Sequence, residues 1–159
     1  MSSGLRVTSP AFEEGGWIPV EHSPLGADRS PELRLEGLDA RAVSLVITFD
    51  DASHPLFPNY NHWVIWNVPA TAVVPAAVPA GERVASLGGA VQGRAYGRHR
   101  YKGPKPPLNA VHAYTFTVYA VDRLIDVPPS GRRADVLRAI DGHVLQTATL
   151  SGRFRKGCA

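Results

Sequence analysis

Residues Ala113 to Val121 read AYTFTVYAV, and this stretch decides the fold class. β-branched and aromatic residues dominate it, and strict alternation puts Tyr114, Phe116 and Val118 on one face and Thr115, Thr117 and Tyr119 on the other. Two earlier runs share that character. Val43 to Phe49 (VSLVITF) reads as a buried strand, and His62 to Val68 (HWVIWNV) as a second. Pro55 and Pro58 punctuate the connection between them, and Pro69 ends the second run. His143 to Phe154 makes a last extended stretch. Only one segment has helical spacing: Ser130 caps a helix from about Gly131 to Asp141, with Ala134, Leu137 and Ile140 on one side and Gly142 as its stop. Several strands and one late helix predict a mainly β chain, an antiparallel β-sandwich with a peripheral C-terminal helix.

With 159 residues the chain predicts a single domain over residues 1–159, large enough for a core of its own. Hydrophobic residues make up 44% and charged residues 19%, which excludes an intrinsically disordered chain. Fifteen glycines and fourteen prolines favour turns over long helices. No stretch approaches the roughly 18 apolar residues of a membrane helix; the best run, Ala72 to Ala80, is broken by Pro75 and Pro79. Met1 to Thr8 lacks the apolar core of a signal peptide, so the expectation is a cytoplasmic protein with no membrane insertion. The one cysteine, Cys158, sits beside the C-terminus and reads as a tolerated tail residue.

The net charge of +3 hides an uneven distribution. Met1 to Glu82 holds ten acids against four bases, whereas Arg83 to Val121 holds six bases and no acid. Such a segment attracts an anion, unless the acidic N-terminal half folds back to neutralise it. We expect a small anionic ligand or small-molecule substrate as the partner, with no nucleic acid and no cofactor or metal.

Gly88 to Val111 shows no convincing periodicity and contains five glycines and three prolines. A connection of that length inside a small domain reads as a functional loop. Three clusters of reactive side chains stand out, the third at the end of this loop: Asp50-Asp51-Ala52-Ser53-His54-Pro55 past a strand end, Asn61-His62-Trp63 opening a strand, and Gly103-Pro104-Lys105-Pro106-Pro107 followed by His112-Ala113-Tyr114. Prolines hold a pocket rim at low entropic cost. Gly103 lets the backbone approach closely, so that main-chain N–H groups face a ligand. His112 and Tyr114, two apart on a strand, point the same way. Two imidazoles, a phenol and a carboxylate together can bind a phosphate or carboxylate, or move protons.

These motifs resemble the bacterial branch of the phosphatidylethanolamine-binding protein (PEBP, Raf-kinase-inhibitor-like) family. His62-Trp63-Val64-Ile65-Trp66-Asn67-Val68-Pro69-Ala70 matches that family's central strand almost throughout, and Gly103 to Pro107 with His112 and Tyr114 matches its Gly-Pro-x-Pro-Pro and His-Arg-Tyr segments. Thr8-Ser9-Pro10-Ala11-Phe12 resembles its opening and Gly142-His143-Val144-Leu145 its close. The resemblance implies a ligand pocket lined by Asp51, Pro55, His62, Pro106, Pro107, His112 and Tyr114, accepting phosphate, acetate or a phosphorylethanolamine-like head group. It also implies a homodimer. The chain departs from the pattern at four places. Ala52 replaces a proline, Ser53 an acid and Ala113 an arginine, while Lys105 stands where bacterial relatives usually carry cysteine and animal ones glycine. With only three lysines against fourteen arginines in the chain, Lys105 is not just the commonest basic choice.

Three functions are implied by the resemblance. The first is a binding protein for a small anionic ligand, using Asp51, Pro55, His62, Gly103, Lys105, Pro106, Pro107, His112 and Tyr114. The second is a natural-product cyclase or isomerase, with Asp51, His62, His112, Tyr114 and Lys105 as its acid–base groups. Inhibition of a kinase or protease comes third.

Overall fold

The computed structural model describes residues 4–156; Cys158 lies outside them. In chain order the elements are β1 (Arg6–Thr8), β2 (Leu33–Glu36), β3 (Ser44–Asp51), β4 (Tyr60–Pro69), β5 (Val73–Val74), β6 (Arg83–Val84), β7 (Ala90–Gln92), β8 (His112–Val121), α1 (Arg133–Ala139) and β9 (Val144–Phe154). They form two antiparallel sheets. A small sheet has the order β1-β2-β5 and a large one the order β6-β7-β4-β3-β8-β9.

The burial of β3 explains the layering. All eight of its residues are buried, so both faces of the large sheet are covered there. Leu45, Ile47 and Phe49 face the small sheet and join Leu33, Leu35, Trp63, Phe116 and Val118 in the main core. Val46 faces the other way, into a second cluster with Val64, Trp66, Val91, Val136 and Ile140. Helix α1 seals that side. The result is a mainly β sandwich with a helix on its outer face, as the strand periodicity predicts.

The helix is shorter than expected. It runs over Arg133–Ala139, and its N-cap is Arg132, whose N–H donates to the Asp135 carboxylate at 2.9 Å; Ser130 is not the cap. The buried positions are Val136 and Ile140, one turn apart, while Ala134 is exposed. The Gly88–Val111 segment is also not wholly irregular. Residues Ala90–Gln92 pair with β4 and β6 as β7, and buried Gln92 organises the loops around it. Its side chain accepts from Trp63 Nε1 at 2.8 Å and donates to the carbonyls of Pro79 and Gly81, both at 2.9 Å, and of His99 at 3.3 Å. No helix among the described residues is long and apolar enough to cross a membrane.

Two irregularities interrupt the β3–β4 pairing, and the first places a site residue. Phe49 pairs with Trp63, but Asp50 pairs with Asn61, so His62 is an extra residue opposite no partner. This bulge cancels the alternation that would send His62 to the face opposite Trp63. The second slip lies between Leu45 and Ile47. There Asn67 takes a positive φ of 55°, and its side chain exchanges hydrogen bonds with the Ile125 backbone at 2.9 and 3.0 Å.

Candidate functional site

At the end of the sandwich where β3, β4 and β8 meet, the adjacent acids of β3 part company. Asp50 faces the helix layer, where it accepts from Asn61 Nδ2 at 2.9 Å and pairs with Arg133 at 3.1 Å. Burial pushes its carboxyl up, against the opposing pull of Asn61 and Arg133. Asp51 faces the sandwich side and lines a cavity of about 320 Å³. Strand alternation alone separates a structural acid from a site acid.

Strand β8 supplies the partner of Asp51. The β3–β8 ladder runs without a slip from Ser44↔Val121 to Asp51↔Tyr114, so His112 is the diagonal neighbour of Asp51 on the same face. His112 Nδ1 lies 2.7 Å from Asp51 Oδ2, and both residues are buried. An ionised carboxylate only accepts, so Nδ1 carries the proton and Nε2 is left for the cavity. The other carboxylate oxygen of Asp51 accepts the Ser53 N–H at 2.9 Å. Ser53 does not line the cavity; its Oγ accepts the Ala113 N–H at 2.9 Å and ties the loop to β8.

His62 reaches the same cavity only because of the bulge. Its Nδ1 contacts the carbonyls of Lys102 at 3.0 Å and Gly103 at 3.2 Å, which makes Nδ1 the protonated nitrogen. Nε2 is then an acceptor, and the Tyr96 hydroxyl donates to it at 3.3 Å. Burial pulls the His62 pKa down, outweighing the opposing effects of the two carbonyls and Asp51. Tyr114 lies between the two imidazoles, its ring 5.4 Å from His62 and 6.3 Å from His112. Burial, reinforced by the Asp51 charge, raises the Tyr114 pKa and keeps the phenol a donor. Phe49, stacked on Phe116 at 4.1 Å and on Tyr114 at 5.7 Å, forms an aromatic floor.

Pro55, Lys105, Pro106 and Pro107 also line the cavity; Pro106 is buried and the other three are exposed. Gly103 behaves otherwise than expected. It is not a lining residue, and its N–H does not face a ligand but donates to Asp28 Oδ1 at 2.8 Å. Glycine is needed there because a Cβ would collide with the His22 carbonyl oxygen. Its own carbonyl serves the site by fixing the His62 ring.

Three more residues line the cavity: His54, which stands in the first cluster without an expected pocket role, and Tyr96 and Lys102, which no motif marks. His54 stacks on Tyr60 at 4.7 Å and accepts the N–H groups of Leu56 and Phe57, holding the rim loop. Burial, with the charges of Tyr60 and Asp51, pushes the Tyr96 pKa up to about 12. The available signal was the Tyr96-Gly97 pair inside an acid-free loop, a turn dipeptide with an aromatic where a small residue is usual.

The comparisons with known proteins cover nearly the same length as these elements. A family model described as phosphatidylethanolamine-binding protein matches residues 8–155. A UPF0098 protein of Methanothermobacter thermautotrophicus is 37% identical over 155 residues, covering 96% of this chain and 100% of its own. One from Pyrococcus horikoshii is 36% identical over 154 residues, covering 96% of this chain and 77% of its own. Among solved structures, a PEBP homologue from Chlamydia trachomatis superposes with a TM-score of 0.85 at 29% identity, covering 98% of this chain and 99% of its own. Escherichia coli YbcL, described as a member of the mammalian PEBP family, gives 0.85 at 26% identity over 96% of this chain and 98% of its own.

Proposed function

The chain belongs to the phosphatidylethanolamine-binding protein family, and from that premise we propose that it captures a small phosphate- or carboxylate-bearing ligand in the cup of Asp51, His62, Lys105, Pro106, Pro107, His112 and Tyr114. The observation that carries this reading is the 2.7 Å Asp51–His112 pair with His112 Nε2 left to the cavity. A buried imidazole anchored on a carboxylate becomes an anion receptor when it takes a second proton. Nδ1–H then stays on Asp51, while Nε2–H donates to the ligand. Tyr114 adds a neutral donor, and Lys105 adds positive charge at the rim. The two prolines and the aromatic floor hold these groups in place before the ligand arrives.

This arrangement makes anion capture and proton uptake one event. Sulfate is the suitable probe, because it stays dianionic across the working range. Calorimetric titration in two buffers of different ionisation enthalpy should show buffer-dependent heats that correspond to proton uptake. His112→Ala should abolish binding or weaken it at least tenfold. Equal heats in both buffers, or undiminished binding by His112→Ala, would overturn the reading.

One observation favours acid–base catalysis as a second reading. His62 is biased to the neutral form with Nε2 as an acceptor, the state a general base needs. The cavity, at about 320 Å³, lies at the small end of ligand sites yet leaves space beside an anion for a substituent. Proton exchange into a bound carbonyl compound that depends on His62 and not on Lys105 would support an isomerase or cyclase. The binding reading expects no such exchange.

A further inference from the structure

A second cavity of about 300 Å³ adjoins the cup, lined by Asp28, Ala95, Tyr96, Arg98, Arg100 and Lys102. Tyr96 and Lys102 line both cavities, so they form the partition between them. Tyr96 donates to His62 Nε2 on one side, and the Lys102 ammonium sits 4.7 Å from its ring centroid.

The backbone of Tyr96 is costly for a tyrosine. Tyr96 and Gly97 are the central residues of a two-residue hairpin closed by reciprocal Ala95–Arg98 backbone hydrogen bonds at 3.1 Å. Both take positive φ, 54° and 69°. Asn, Asp or Gly occupies the first of these positions at little cost, whereas a bulky residue there is an outlier. The turn therefore does not explain the phenol; the partition does.

The charges of this second basin are unbalanced. Its one acid, Asp28, is fully engaged: one oxygen accepts the Gly103 N–H at 2.8 Å and the other accepts from Arg100 at 3.1 Å. Among the described residues neither Arg98 nor Lys102 meets a carboxylate. Two cations with no counter-charge thus face a cavity that shares a wall with an anion cup.

We infer that the basin is a second anionic subsite, and that the ligand class is a small molecule bearing two anionic groups, one in the His112 cup and one against Arg98 and Lys102, bridged across Tyr96. The inference rests on the anion-cup reading above and names its ligand more narrowly. Binding one group makes the second event intramolecular, so a ligand of matching length gains affinity with no new contact at the first group.

Methylphosphonate and a series of alkane-α,ω-bisphosphonates with one to four carbons between phosphorus atoms test it, titrated calorimetrically at one pH and ionic strength. One member of the series should bind the parent at least tenfold tighter than methylphosphonate, well beyond the twofold statistical advantage of two heads. In Arg98→Gln the ratio of the two affinities should fall to near unity, and His112→Ala should weaken both probes together. Tyr96→Phe, which keeps the ring and loses the hydroxyl, should preserve the ratio, whereas Tyr96→Gly should broaden the preferred length. A ratio near unity throughout the series in the parent, or one untouched by Arg98→Gln, overturns the second subsite and leaves the anion cup standing. Failure of methylphosphonate itself to bind the parent would instead defeat the cup.

Discussion

His62 and His112 share a cavity and both carry the proton on Nδ1, but the groups that accept it differ. Two carbonyls hold His62, and burial keeps it from charging; a carboxylate accepts from His112 at 2.7 Å. The depressed pKa of His62 has a consequence for stability. Its folded value lies below the 6.5 of an ordinary histidine, so as pH falls the unfolded chain takes up this proton first. The contribution of His62 is therefore complete above about pH 6.5 and is lost as pH falls through that value toward the folded pKa. Urea unfolding between pH 7.5 and 5 should show stability declining, and His62→Gln should show a shallower decline. Equal slopes for the two proteins would mean that other groups account for the acid sensitivity.

At the level of elements, the site depends on two places where regular structure is interrupted. The bulge in β4 turns His62 onto the same side as Trp63, and so toward Phe49 and Tyr114. The segment after β7 then closes over it through the Lys102 and Gly103 carbonyls, while Gln92 ties His99 of that segment to Pro79 and Gly81 ahead of β6. Gly103 is the point of closest approach, with the turn carrying His22 directly beneath it. Gly103→Ala must move one of the two backbones, and overpacking of this kind costs about 1–3 kcal/mol. The same displacement pulls a carbonyl from His62, so sulfate affinity should fall along with the denaturation midpoint. A midpoint equal to that of the parent would show that the chain has slack there.

For the molecule as a whole, the charge asymmetry along the sequence is resolved by folding only in part. The acidic half does reach the basic segment: Asp28 pairs with Arg100 at 3.1 Å and Glu82 approaches His99 at 3.8 Å. Arg98, Lys102 and Lys105 have no such partner among the described residues, and all three line one or other of the adjoining cavities. Lys105 is exposed, so its attraction for an anion is worth about 1 kcal/mol or less and is screened by salt. Lys105→Gly should weaken sulfate binding by up to about fivefold at low salt, and the difference should disappear at high salt. Parent-like affinity at low salt would make Lys105 a solvated loop residue.

The share of this protein that is legible in its sequence depends on the range of each interaction. Alternation in β8 and the β-branched runs in β3 and β4 are local, and they determined the mainly β class, while most of the lining side chains were legible through the resemblance of their motifs to a known family. The facing of His112 and Tyr114 was legible from the strand itself, since an unbroken strand has a fixed period. Three features were not legible. The bulge that re-aims His62 exists because β3 and β4 must keep pairing on both sides of an extra residue, a constraint held by two strands jointly. Ser130 and Ala134 suited a longer helix, but the extent of α1 was decided by where Val136 and Ile140 meet the second core. Asp28 and Tyr96 lie 68 residues apart in sequence, and neither carries a motif. Only the folding of the N-terminal turn beneath Gly103 brought them to the same wall, because packing recognises shape and charge without regard to separation along the chain.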